Sequence, residues 1–346
     1  MRKLSELNLS KCGFSRTISN SPSNLTKLVQ IDLSYNLFLL GGFLHPFLHS
    51  HHCKQFNFQK MSLVNWMKCN DLFGPFSTSI LQLNTLFVLH FSSNQFNGSV
   101  QLNKLLEVKS LTELDLSCIN LKLIIPNSIY IASSLQVFDL SLNNIYGTII
   151  SCLMRMTSCN LWILNLHGNL FDGPIPNSLS CCLKLKVLDL GLNQIIGGFP
   201  CFLKKISTLG ILVLWKNKFQ GSLRCSKTNK TWEILQIVDI AFNNFSGKLP
   251  GKYFTTWERY IMHGEQETES KFIEKGFHAQ MGNLAKIFTI FTSIDFSSNH
   301  FEGPVTKEHM DFKELCIFLS KTASSSEIPL SIGNLRRLES LCLSQN

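Results

Sequence analysis

Twelve cysteines are spread along the 346 residues, yet no two are spaced as CxxC, so the chain offers no paired thiolates for a structural zinc site. No apolar run reaches the roughly 18 residues that a membrane-spanning helix needs. Charge is sparse as well. Asp, Glu, Lys and Arg make up 16% of the residues against 45% hydrophobic ones, a balance that excludes a disordered chain. The formal charge of +9 comes from scattered Lys and Arg without a dense basic run, so nucleic acid is not an expected partner. The His-Arg-Asp, Asp-Phe-Gly, phosphate-loop and Gly-x-Ser-x-Gly signatures are all missing. The chain therefore reads as a non-enzyme with no cofactor and no metal.

What is present is a repeat. The pattern LxxLxLxxN, followed by an apolar residue and then Gly, opens at Leu86, Leu135, Leu161, Leu185, Leu209 and Leu235. Each copy has Asn eight residues on, at Asn94, Asn143, Asn169, Asn193, Asn217 and Asn243. A Gly comes four residues later, at Gly98, Gly147, Gly173, Gly197, Gly221 and Gly247. Leu111 opens a further copy, in which Ile119 takes the Asn position. Successive Asn positions lie 24 to 26 residues apart, the period of a leucine-rich repeat.

Physical chemistry accounts for each fixed position. Alternation at Phe138 and Leu140 marks a short strand with one face inward. Stacking such strands in parallel buries about three large side chains per coil, each contributing roughly 1.5–3 kcal/mol. The Asn turns inward where the chain bends, and its amide can satisfy backbone groups that no ladder reaches. The Gly supplies a turn conformation closed to other residues. The Pro of Ile175-Pro176 and Leu249-Pro250 ends hydrogen bonding on the outer side. The expected fold is α/β: a right-handed leucine-rich-repeat solenoid, a curved superhelix with one parallel strand per coil of about 24 residues.

Four segments follow from how well the register holds. Residues 1–85 are degenerate N-terminal repeats, with recognisable coils at Leu4 and Leu28 and poor periodicity over 38–85. Residues 86–250 are regular repeats, expected as one continuous curved stack without long helices. Residues 251–287 are polar and lack the period, so they are expected to leave the stack as a mobile island. Residues 288–346 are C-terminal repeats, resuming at Phe291 with Asn299 and breaking off at Asn346. The segment Leu4-Ser5-Glu6-Leu7-Asn8-Leu9 already reads as a repeat strand, so the chain is expected to begin inside the array, with no secretory leader and no caps. Uncapped coils at both ends should fray or aggregate.

The run Asn169-Leu170-Phe171-Asp172-Gly173-Pro174-Ile175-Pro176 resembles the plant extracellular type of repeat. From about residue 135 onward, stretches such as Leu235–Gly247 and Phe291–Asn299 look like plant receptor-like proteins, those of the verticillium-wilt disease-resistance type above all. The resemblance implies an ectodomain on the extracellular side of the plasma membrane, interrupted by an island between late repeats. It also implies a peptide or protein ligand, signalling through partner receptor kinases, and a signal peptide, capping domain and membrane anchor that this sequence does not display.

The inner strand positions, where such solenoids bind, include Trp162, Asn165, His167, Trp215, Lys216 and Phe242. Exposed aromatics on a rigid sheet are typical anchors; ordinary variation at solvent positions is the plainer reading. Asp32, Asp115, Asp139, Asp189, Asp239 and Asp295 share one coil position, interrupted by Asn165 and Val213. A carboxylate row suggests acid–base work, but an open sheet lacks the cleft such chemistry needs. His45, His49, His51, His52 and Cys53 cluster without the spacing of an established metal site. Asn8, Asn24, Asn97, Asn229 and Asn244 begin Asn-x-Ser/Thr sequons, which matter if the chain is secreted.

Cys201 and Cys225 each lie eight residues after their coil's Asn, and no other cysteines share a coil position in neighbouring repeats. Equivalent positions one coil apart fall within disulfide range. Two buried free thiols are the rival arrangement; the secretory resemblance favours the bond. Three functional readings stand at this point: a receptor-like ectodomain fragment, a secreted repeat protein that inhibits an enzyme, and a truncated remnant without function.

Overall fold

The computed structural model describes residues 86–90, 92, 100–126, 132–149, 159–225, 232, 234–248 and 292–302, and as strands alone 6–8, 30–32, 55–57, 315–319 and 340–342. The island expected at 251–287, the His45–Cys53 cluster and the sequons at Asn24, Asn97 and Asn229 lie outside these residues. The chain forms two compact units, Met1–Asp172 and Gly173–Asn346, which part inside the array 86–250.

Among the described residues the first unit has the strands β1 Glu6–Asn8, β2 Gln30–Asp32, β3 Gln55–Asn57, β4 Val88–His90, β5 Glu113–Asp115, β6 Val137–Asp139, β7 Tyr146–Thr148, β8 Ile163–Asn165 and β9 Leu170–Asp172. Its main sheet runs β1-β2-β3-β4-β5-β6-β8, with every pair parallel. Register is strict: Leu89 faces Leu114, Leu114 faces Phe138, and Phe138 faces Leu164. All four are buried. The second unit repeats the design with β10 Val187–Asp189, β11 Ile196–Gly197, β12 Ile211–Val213, β13 Lys218–Gly221, β14 Ile237–Asp239, β15 Asn244–Lys248, β16 Thr292–Asp295, β17 His300–Glu302, β18 Leu315–Leu319 and β19 Ser340–Cys342. Its main sheet runs β10-β12-β14-β16-β18-β19, with Leu188, Leu212, Val238 and Ile294 as buried partners.

The Asn positions tie neighbouring coils together. Asn217 donates through Nδ2 to the carbonyls of Leu214 (3.1 Å) and Trp215 (3.2 Å) in its own coil and to Leu190 (2.9 Å) in the coil before. Its Oδ1 accepts the N–H of Ile195 at 3.0 Å. Asn143 and Asn299 repeat the pattern. One amide thus satisfies groups on both sides of a bend that no strand reaches.

Two local features go beyond the expectation from sequence. A second short strand follows the Asn of several coils, pairing β7 with β9 in the first unit and building β11-β13-β15-β17 in the second. The residue just before the Asn position is left-handed: Cys118 (before Ile119), Leu142, Leu192, Lys216, Phe242 and Ser298 have φ between 51° and 55°, and Gly168 has 65°. Such a backbone is costly for side chains larger than Gly, and the Asn bonds on either side hold it in place. Glycines four residues after the Asn are left-handed as expected, at Gly147, Gly173, Gly197, Gly221 and Gly247.

Return segments are short. Among the described residues the helices are α1 Leu102–Leu105 and two 3-10 turns, Asn177–Cys181 and Cys201–Lys205. Pro176 and Pro200 do more than stop hydrogen bonding, because each carbonyl accepts the first bond of its 3-10 turn, from Leu179 and Leu203 at 3.0 Å. In the second unit an aromatic column fills the core beside the Asn row: Phe219 stacks on Phe245 at 5.9 Å and Phe245 on Phe301 at 6.5 Å, with ring planes within 7°.

Cys201 and Cys225 are bonded, with Cα atoms 5.5 Å apart and a sequence separation of 24. Matching coil positions one spacing apart are what bring the sulfurs together. Replacing both with Ser should cost about 3 kcal/mol in the chain-entropy model. Denaturant unfolding of the double variant checks this, and a loss within measurement error contradicts it. Strict position matching also passed over two cysteines. Cys159 and Cys182 are disulfide-bonded too, although they stand two and three residues before their coils' opening leucines, Leu161 and Leu185. Among the described residues Cys118, half-buried, and Cys181, exposed, are not part of a disulfide.

Candidate ligand-binding surface

In the main sheets the described three-residue strands bury their middle residue, and in β5, β6, β8, β10, β12 and β14 the last residue stays half-exposed. In the first unit Trp162, Asn165 and His167 are half-exposed on one coil. Asn165 is pinned on both sides. Its Oδ1 accepts the His167 N–H at 3.1 Å, and its Nδ2 donates to Asp139 Oδ2 at 2.8 Å. In the second unit Trp215, Lys216 and Phe242 come together from adjacent coils. The Trp215 and Phe242 rings meet edge-on at 6.2 Å, and the Lys216 Nζ lies 5.6 Å from the Trp215 centroid. An aromatic pair with a cation over one ring has the chemistry of an interface anchor. The two trios belong to different compact units.

The carboxylate row has a local structural task. Asp115 Oδ1 accepts both the N–H and the hydroxyl of Ser117, at 2.9 and 2.7 Å, and Asp139 does the same with Ser141. Asp189, Asp239 and Asp295 accept the N–H two residues on, from Gly191, Ala241 and Ser297. These are Asx turns that close the strand end, which explains why Asp recurs there. No group of three His, Cys, Asp or Glu side chains that could hold a metal occurs among the described residues.

One cluster was not anticipated. His90 occupies the Asp position of the Leu86 coil, and its Nε2 lies 3.3 Å from Glu113 Oε2. Following the Asp row one coil further up would have found it. Burial pulls the His90 pKa down, but the hydrogen bond to Glu113 and the charges of Asp115, Glu113 and Asp139 outweigh that and leave it raised. Burial and the Asp115 charge push Asp139 from 3.8 to about 7, against the hydrogen bonds from Ser141 and Asn165. Both shifts act in one direction. A raised His contributes stability below its unfolded pKa, and this is lost as pH rises through the folded value. A raised carboxyl holds its proton in the fold where the unfolded chain would release it, so stability also falls as pH rises toward about 7. Melting temperature should therefore decline from weakly acidic to neutral pH, and Asp139→Asn should flatten that decline. Parallel melting curves for the two proteins across this range would contradict the assignment.

The model of the family described as Leucine Rich Repeat matches residues 3–25 and 160–182. Receptor-like protein 35 of Arabidopsis thaliana is 34% identical over 274 residues, 75% of this chain and 26% of that protein. The crystal structure of a TDR receptor matches with a TM-score of 0.72 at 22% identity, covering 98% of this chain and 55% of that one. The chain is a leucine-rich-repeat protein. Within that fold it is similar to plant receptor-like proteins, and it spans about a quarter of the length of Receptor-like protein 35. The Arabidopsis receptor kinase HAESA, solved with the peptide hormone IDA and the co-receptor SERK1, shares the leucine-rich-repeat fold with a TM-score of 0.59 at 20% identity, over 99% of this chain and 62% of that one. Among the described residues no helix is long and apolar enough to cross a membrane.

Proposed function

We propose that this leucine-rich-repeat chain is part of the ectodomain of a plant receptor-like protein, of the verticillium-wilt disease-resistance type, on the extracellular side of the plasma membrane. It binds a peptide or protein ligand on the outward face of its strands, joins a receptor-kinase co-receptor, and catalyses nothing. Trp162, Asn165 and His167 in one unit and Trp215, Lys216 and Phe242 in the other are the contact residues. Residues 251–287 form the island between the late repeats, with the degenerate repeats 1–85 before the regular array and 288–346 after the island.

The observation that carries this reading is the preformed Trp215–Lys216–Phe242 group. A half-exposed Trp with its ring held edge-on and capped by a cation loses little freedom when a partner docks. The experiment is capture of extracellular plant peptides on the purified chain, followed by titration of a captured peptide against Trp215→Ala. Loss of the Trp anchor should weaken binding by about 2 kcal/mol or more, roughly 30-fold in Kd. Equal affinity for the two proteins, or no captured peptide, argues against the reading.

A further inference from the structure

Phe242 stands where the scaffold has no need of an aromatic ring. Its coil position requires a left-handed backbone, and other coils meet that requirement with Cys118, Leu142, Lys216 or Ser298. A bulky side chain there is strained, and this one leaves 52% of its surface exposed. The ring lines an open groove of about 460 Å³ together with Ile196, Lys218, Gln220 and Asn244. Asn244 opens the sequon Asn244-Phe245-Ser246. In β15 the alternation buries Phe245 and exposes Asn244 and Ser246, so both residues that define the sequon face solvent.

We propose that Asn244 carries an N-linked glycan whose first N-acetylglucosamine packs on the ring of Phe242. The transfer forms a bond from Asn244 Nδ2 to C1 of the sugar and breaks the bond from C1 to the pyrophosphate of a lipid-linked oligosaccharide donor. The lipid pyrophosphate leaves, and the amide proton passes to it. Two residues of separation and a shared groove place the sugar beside the ring, whose flat apolar face suits the C–H face of a pyranose. An otherwise exposed ring is thereby covered by the chain's own modification. Phe242 then serves the sugar on its groove side, and the glycan bounds the Trp215–Lys216 surface there. The inference rests on the extracellular reading, because only a secreted chain meets the donor.

The test uses the full chain expressed in plant cells from its native transcript. Mass spectrometry should find the Asn244 peptide carrying a glycan. Trimming to a single N-acetylglucosamine should leave the melting temperature unchanged. Removing that last sugar should lower it in the wild type but leave it unmoved in Phe242→Ser, a replacement that Ser298 shows the coil position accepts. A secreted chain with other sequons modified and Asn244 bare overturns the proposal and leaves the extracellular reading standing. Equal shifts in the wild type and Phe242→Ser overturn the stacking. A chain that never enters the secretory route, with every sequon bare, overturns both.

Discussion

Asn243→Ala should destabilise the second unit by about 3 kcal/mol, far more than a surface Asn would. Asn243 is buried, and it donates to the carbonyls of Leu214 (2.9 Å), Ile240 (3.0 Å) and Ala241 (3.2 Å). Its Oδ1 accepts the N–H of Phe219 at 3.1 Å. Alanine removes all four bonds at once: the carbonyls of Leu214, Ile240 and Ala241 keep one donor each, from Asn217, Asn299 and Lys216, while the Phe219 N–H loses its acceptor inside the coil bend. Each buried polar group left unmade costs about 1–3 kcal/mol, reduced where water can reach it. Asn243→Asp separates the two halves of the role. It retains the acceptor for Phe219, loses the donors and buries a charge, so it should be no better than Ala. Urea unfolding decides the matter. A loss below about 0.5 kcal/mol for Asn243→Ala would mean that the row is filler and not a tie between coils.

Phe245→Ala should cost about 3–5 kcal/mol, the range for truncating a fully buried aromatic. Its ring is sandwiched between Phe219 and Phe301 and meets Phe199 edge-on at 6.2 Å. Removing the middle of the column leaves a cavity that short strands on both sides hold open. Phe245→Leu should recover much of the loss by filling most of the volume. Three residues away, Phe242→Ser in a chain without glycan should change stability by less than about 1 kcal/mol, because its ring is exposed. Similar losses at 242 and 245 would contradict the burial pattern of β15. Hydrogen exchange at the β13 and β15 amides would show whether the damage stays local, as expected where each coil touches only its neighbours.

Much of the surface that these experiments probe could be reached by counting. Trp215 and Lys216 precede Asn217, and Phe242 precedes Asn243, so the repeat alone places them on the outward side of a strand end. Counting could not reveal that Trp215 and Phe242 touch, since they hold different positions in their coils. His90 and Glu113 meet for the same reason, one from the fifth coil position and one from the third, across neighbouring strands. Cys159 and Cys182 evaded position matching because neither shares its coil position with a cysteine of a neighbouring repeat. Most of the left-handed residues before the Asn gave no compositional sign: Leu, Lys, Phe and Ser occupy the position, and only Gly168, before Asn169, is the residue a reader looks for.

From the sequence alone came one strand per coil, the parallel register, the Asn ties, the left-handed glycines after them and the range that lets Cys201 reach Cys225. Each of these depends on a pattern that recurs every 24 to 26 residues, so one coil predicts the next. Tertiary structure alone decided which aromatics stack out of sight and which stand in solvent. It also decided how far Asp139 is pushed toward neutral protonation and what lies beside Asn244. Those properties depend on distances between side chains in different coils and on the water excluded between them, which no local period encodes.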